Sequence, residues 1–184
     1  MVYNDFHYER LDLEKSRHLL NEIISDFKNA KSANKQIEVI KKIDSFSRDY
    51  ITYQAMASLN FSRDINDADA KSEKEYYDSI SPDMTEIYDK FDKVLHESNF
   101  KQDIINKYGK TFLDQIEISL KTFDTKIKDF LKKEIELKNE YTKLTAGAKI
   151  NFEGKDYNLA GLGPFHLHKN REIRKQSYEA RYNW

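Results

Sequence analysis

The residues of this chain best suited to chemistry are its histidines and the acids beside them. In "LHESNF", His96 and Glu97 open the way an HExxH zinc helix opens, where two imidazoles one turn apart share a metal and the glutamate reaches the bound water. The position of the second imidazole is Phe100, which offers no lone pair, so the pair reads as a helix-end histidine. Glu14 with His18 and Asp92 with His96 stand four apart, the spacing of solvated helix pairs, and neither brings a third ligand. His166 and His168 would share one face if their segment were an extended strand, yet no third ligand joins them. Asp64, Asn66, Ser72 and Glu75 copy the first, third, ninth and twelfth positions of a calcium loop. Ala68 and Asp69 occupy its fifth and sixth, where a ligand and the turn glycine belong, so the run reads as an acidic interhelical turn. Lys169, Arg171, Arg174 and Lys175 form a local basic cluster that Glu172 and Glu179 interrupt, the pattern of a solvated helix face. The chain carries no Walker loop, no GxGxxG and no GxSxG elbow.

The elements that would position these groups follow from composition and periodicity. A chain of 184 residues is long enough for one domain and buries roughly 70% of its unfolded surface. Its 12 Tyr and 11 Phe predict an aromatic-rich core. With 31 basic against 32 acidic residues, it lacks the excess of cations on which nucleic-acid or anionic-membrane binding runs, so neither partner is expected. The absence of cysteine removes disulfides, thiolate metal sites and cysteine nucleophiles, and it suits a reducing cytoplasm. The opening "MVYNDFHYERLDLEK" has no apolar stretch of a secretory signal, and no segment reaches the length of a membrane span. A soluble, cytoplasmic protein is the expectation.

Apolar residues at three- and four-residue steps predict a first helix over 12–30 capped by Asp12, and a second capped by Ser32 that runs to about Phe61. The polar run "RDINDADAKSEK" then breaks the pattern. Ser81-Pro82 reads as the start of a helix through Ile87, Phe91 and Leu95, since proline at the first helical position forfeits no hydrogen bond. Gly109, tolerant of the left-handed conformation, closes a short helix from Phe100, and another follows to Phe123. Over 125–145, Ile127, Phe130, Leu131, Ile135, Leu137, Tyr141 and Leu144 cover half a helical circumference, which predicts a central helix touching several neighbours. In "KINFEGKDYNL" the period changes to alternation. Ile150 and Phe152 face Tyr157 and Leu159 across a hairpin with Gly154-Lys155 as the centre of a type II′ turn. A last helix from Asn170 sets Ile173, Ser177, Ala180 and Trp184 on one stripe that runs to the final residue, as in a chain cut rather than finished. The fold class expected is mainly α, a multi-helix bundle with one β-hairpin near the C-terminus, divided into a helical lobe (1–145) and a hairpin-and-helix part (146–184).

Taken in order, "YERLDLEKSRHLLNEIISDFKNAKSANKQIEVIKKID", "YYDSISPDMTEIYDKF", "SLKTFD", "NEYTKLTAGAKINFEGKDYNLAGLGPF" and "NREIRKQSYEARYNW" resemble the N-terminal region of oligoendopeptidase F and its relatives, zinc peptidases akin to thimet oligopeptidase. The most specific parts are the helix-to-hairpin passage and Arg171 and Arg174 at the start of the last helix. The resemblance implies the N-terminal lobe of a larger helical enzyme whose two lobes enclose a channel and whose single zinc ion cleaves short peptides. The family's HExxH helix, further glutamate ligand and oxyanion-stabilising tyrosine and histidine lie downstream of the matched region, so no catalytic or metal-binding residue carries over and the chain alone is expected to be inactive.

Three expectations about binding accompany that reading. The strand edge at Lys149, Asn151 and Glu153 could pair with an extended peptide substrate in the intact enzyme. The missing catalytic region is the expected partner, and the C-terminal stripe could self-associate. The competing readings are a freestanding helical protein-interaction module and a metal-binding protein resting on His166 and His168.

Overall fold

A computed structural model describes residues 8–184; the first seven residues of the mixed-charge opening lie outside the described residues. The chain forms two compact units, one up to Lys132 and one over Lys133–Trp184.

The first unit is built of helices whose starts are written in short polar side chains. Helix α1 (Leu13–Asn29) begins where the Asp12 carboxylate accepts from the Lys15 amide, and α2 (Ala33–Arg63) where the Ser32 hydroxyl accepts from the Lys35 amide. Each cap satisfies an amide that the first turn leaves without a partner. Both starts agree with expectation. Helix α3 (Ala68–His96) does not: Ser81-Pro82 lies inside it. Asp67, within the polar run read as a break, caps the amides of Asp69 and Ala70. Tyr77 and Ile80 then bury against the other helices. This burial outweighs the single amide that Pro82 forfeits, and Pro82 itself is buried.

Helix α4 (Lys101–Tyr108) and helix α5 (Lys110–Thr122) meet at Gly109, where φ is +87° and ψ 159°. The positive φ is the one the glycine was expected to supply, although ψ lies outside the left-handed helical well. A 3₁₀ turn at Thr125–Ile127 leads into α6 (Lys128–Ala146).

The core gathers Leu20, Ile23 and Phe27 of α1, Val39, Ile40 and Ile43 of α2, Tyr77, Met84, Ile87, Phe91 and Leu95 of α3, and Ile104, Leu113 and Ile116 of the next two helices. Phe27 and Phe91 meet edge to face at 5.3 Å, the arrangement their ring quadrupoles favour. Gln36 is the buried polar anchor: its Nε2 donates to the Phe27 carbonyl at 3.3 Å and its Oε1 accepts from the Ser98 hydroxyl at 2.5 Å. One side chain thus ties the end of α1 to the loop after α3. Ahead of α1, the Tyr76 hydroxyl donates to the Leu11 carbonyl at 2.5 Å and the Leu11 amide to the Tyr77 hydroxyl at 3.2 Å, pinning the incoming segment to α3. Lys128, at the start of α6, lies 2.6 Å from Asp83 and 3.0 Å from Glu86 on α3.

Helix α6 corrects the expectation of a central helix. It has no buried residue, and Phe130, Leu137, Tyr141 and Leu144 are all more than half exposed. Periodicity reports that a face is apolar, not that something covers it.

In the second unit, β1 (Ile150–Phe152) pairs antiparallel with β2 (Lys155–Tyr157), with Ile150 opposite Tyr157, Asn151 opposite Asp156 and Phe152 opposite Lys155. This register puts Glu153-Gly154 at the turn centre, one residue earlier than expected, with φ of +49° and +77°. Two positive φ values make a type I′ turn, whose twist matches that of the strands. A one-turn helix α7 (Gly163–His166), not expected from sequence, precedes α8 (Arg171–Tyr182), which starts where expected, the Asn170 side chain accepting from the Glu172 amide. Ile150, Phe152 and Leu162 form a small core on which Tyr157, Leu159, Phe165, Ile173 and Ala180 pack. The C-terminal stripe is therefore mostly covered, with Ser177 fully buried. Trp184 lies beyond the helix and half-exposed.

Candidate functional site

The hairpin offers the clearest binding geometry. In a two-residue hairpin the pair flanking the turn, here Phe152 and Lys155, exchanges both backbone hydrogen bonds, and the pairs alternate from there. Asn151 and Asp156 are consequently the non-bonded pair, and the Asn151 amide and carbonyl point away from β2, toward the outer edge of a two-stranded sheet. Lys149, Asn151 and Glu153 are exposed, while Ile150 and Phe152 between them are buried. Burial of the alternate residues fixes the strand on its core, since a one-residue slip would expose both. Across the pair, Asn151 Nδ2 donates to Asp156 Oδ1 at 3.2 Å, and Phe152 and Tyr157 both meet the Phe165 ring edge to face. What this arrangement supplies is a strand edge of fixed register with one outward donor and one outward acceptor at Asn151.

The other sequence candidates disperse. His166 ends α7 and His168 lies in the following loop, so they are not alternate residues of a strand. The His166 ring stacks on Tyr178 at 4.2 Å, and His168 Nδ1 accepts from the Asn170 amide at 3.1 Å. Asp64 closes a local turn by accepting from the Asn66 amide, and Ser72 and Glu75 sit inside α3, so the calcium-like run forms no loop. In the basic cluster, the Arg174 guanidinium donates to the carbonyls of His168 and Lys169, and Lys175 lies 3.8 Å from Glu179. Arg174 thereby closes the loop that delivers α8. His96 is the last residue of α3 and Glu97 its C-cap. Glu14 faces Arg17 at 3.7 Å, and His18 pairs instead with Glu22 at 3.7 Å.

Asp92 departs from the solvated pair read in sequence. It is half-buried on α3, and burial pushes its carboxyl up to about 6 against the opposing effect of a hydrogen bond to Ser119, with the Asp89 carboxylate raising it further. Asp89 is itself buried, with one oxygen 2.6 Å from Lys93 Nζ and the other without a partner. Glu86 is shifted the other way, down to about 2, by hydrogen bonds from Lys90 and Lys128. Sequence spacing gives no sign of the Asp92 environment, which depends on the helix opposite, whereas Lys90 stands four residues from Glu86 on the same helix and only Lys128 reaches it from elsewhere in the chain.

Among the described residues, no three His, Cys, Asp or Glu side chains are grouped to hold a metal ion. The zinc implied by the resemblance therefore does not fit the residues described.

A helical lobe leading into a hairpin-and-helix unit with an open strand edge is the class this geometry defines. The family model described as Peptidase M3 N-terminal domain matches residues 3–123, and the chain belongs to that family. Solved structures agree over its whole length. A protein assigned as oligoendopeptidase F superposes with TM-score 0.93 at 33% identity, covering 100% of this chain and 32% of its own. PZ peptidase A, solved with an inhibitor, gives 0.92 at 32% identity over 99% of this chain and 32% of its own. A protein assigned as oligoendopeptidase F from Bacillus anthracis str. Ames gives 0.91 at 32% identity over 100% of this chain and 34% of its own. The chain thus spans about a third of the length of these relatives. Comparison with curated proteins gives no match.

Proposed function

We propose that the chain serves as the N-terminal portion of an oligoendopeptidase F-like zinc metalloendopeptidase acting on short peptides, with zinc and the hydrolytic residues supplied by polypeptide beyond these 184 residues. The observation that carries this reading is the superposition of the entire chain on one third of an oligoendopeptidase F-type protein. In this reading residues 1–145 are the helical lobe and 146–184 open the catalytic region. A cytoplasmic setting accords with the absence of cysteine, and among the described residues no helix is long and apolar enough to cross a membrane.

The test joins residues 1–184 to the remaining two thirds of the Bacillus anthracis relative and follows a quenched fluorescent peptide. The fusion is expected to hydrolyse it, to stop with a chelator and to recover with zinc, whereas the 184-residue chain alone is expected to be inert. A folded but inactive fusion, or zinc-dependent turnover by the chain alone, overturns the reading.

Within this function, the edge at Lys149, Asn151 and Glu153 is the proposed seat of an extended peptide, which would add a strand to β1. Its support is the outward amide and carbonyl of Asn151. Proline at 151 removes that donor without touching a backbone bond of the hairpin, although the side-chain bond from Asn151 to Asp156 is lost with it. In the fusion, Asn151→Pro is expected to raise KM and lower kcat/KM severalfold, and unchanged turnover would refute the assignment.

A further inference from the structure

The unexplained surface of the second unit is one face of α6. Leu137, Tyr141 and Leu144 follow one another at four- and three-residue steps, which places them on one stripe, and they are 52%, 68% and 62% exposed. Charged pairs flank the stripe, Lys133 with Glu136 at 3.1 Å and Lys138 with Glu134 at 2.6 Å. An apolar seam rimmed by paired charges is the anatomy of an interface. Exposing two leucines and a tyrosine within about two turns forgoes about 1.5–3 kcal/mol for each large side chain left out of a core.

The structure points to one occupant, and this assignment rests on the proposed function. The oligoendopeptidase F relatives are about three times as long as this chain, and the chain superposes in full on a third of them, so two thirds of their polypeptide stands outside what is described here. We infer that the Leu137–Tyr141–Leu144 stripe is the docking face for that remaining, catalytic polypeptide, which would present an apolar face of its own with charges of both signs around it.

The experiment compares the 184-residue chain with the fusion to the Bacillus anthracis relative by amide hydrogen exchange. Amides of α6 are expected to exchange about tenfold or more slowly in the fusion than in the chain alone. The double variant Leu137→Glu, Tyr141→Glu is expected to abolish that difference and to lower the melting temperature of the fusion well beyond any change in the isolated chain, where both side chains are more than half exposed. Equal exchange of α6 in the two proteins, or a fusion indifferent to the double variant, overturns the inference. So does sedimentation of the isolated chain as a dimer that the double variant dissociates, since the occupant is then a second copy. Should the fusion fail to fold, the separately produced remainder of the relative is added to the chain, and protection of α6 decides in the same way. The two proposals fail separately: a protected α6 in an inactive fusion rejects the function alone, and an active fusion with unprotected α6 rejects the docking face alone.

Discussion

At the scale of single residues, Asp92 and Glu86 give the first unit opposite responses to pH. The Asp92 carboxyl titrates near 6 in the folded protein, above its ordinary range. As pH rises from about 4 to 6, the unfolded chain ionises this group while the folded chain still holds its proton, so stability falls across that window and the penalty is complete above it. Asp92→Asn keeps a partner for Ser119 and removes the penalty. Urea unfolding followed by circular dichroism is expected to show the variant about 1 kcal/mol more stable than the parent at pH 7.5, after allowance for the water that reaches the group, and equal to it at pH 3.5. Glu86, held low by Lys90 and Lys128, contributes stability that is present above its ordinary range and lost as pH falls toward 2. Gln36 matters through hydrogen bonding alone. Gln36→Leu leaves the Phe27 carbonyl and the Ser98 hydroxyl without their buried partner, and the same unfolding measurement is expected to register a loss of about 1–3 kcal/mol. A lone glutamine in a helical pattern reads as a surface residue, which is why its place in the core was illegible.

At the scale of elements, what the sequence disclosed was whatever local chemistry decides. Asp12, Ser32 and Asn170 begin their helices as their side chains predict, and the alternation of Ile150 and Phe152 announces a strand. The misreadings share a cause. Helix α3 begins at Asp67 rather than at Ser81-Pro82 because burial of Tyr77 and Ile80 sustains it through the proline, and that burial comes from other helices. The open edge at Asn151 was legible as a strand, but its outward donor and acceptor became visible only with the register, which hinged on the turn. Glu153 accepts a left-handed conformation that glutamate adopts reluctantly, so the local preference for glycine first misplaced the turn by one residue. Glu153→Asn creates the Asn-Gly centre favoured by type I′ turns. It is expected to stabilise the hairpin by about 0.5 kcal/mol, read as slower exchange of the amides that Phe152 and Lys155 give each other.

At the scale of the whole molecule, the two units differ in how much core they own. The first buries residues from five helices, whereas the second rests on Ile150, Phe152 and Leu162 with a rim of half-buried neighbours. A core that small sustains little stability by itself. Native-state exchange is expected to open β1 and β2 at far lower free energy than α1 or the middle of α3; protection of equal depth in both units would contradict this. The resemblance read along the chain agrees with the family model that matches residues 3–123. An apolar helix face such as that of α6 carries no sign in the sequence of whether it is covered.

The order in which the first core closes has a consequence for synthesis. Helices α1, α2 and α3 are successive in the chain and pack on one another, and Leu113 and Ile116 of α5 complete their cluster. Packing between successive helices needs less loop closure than pairing of distant strands, and helical lobes form fast. A ribosome adding residues at about 5–20 per second is therefore slow beside them, and the lobe can fold as it leaves the exit tunnel, before the hairpin has emerged.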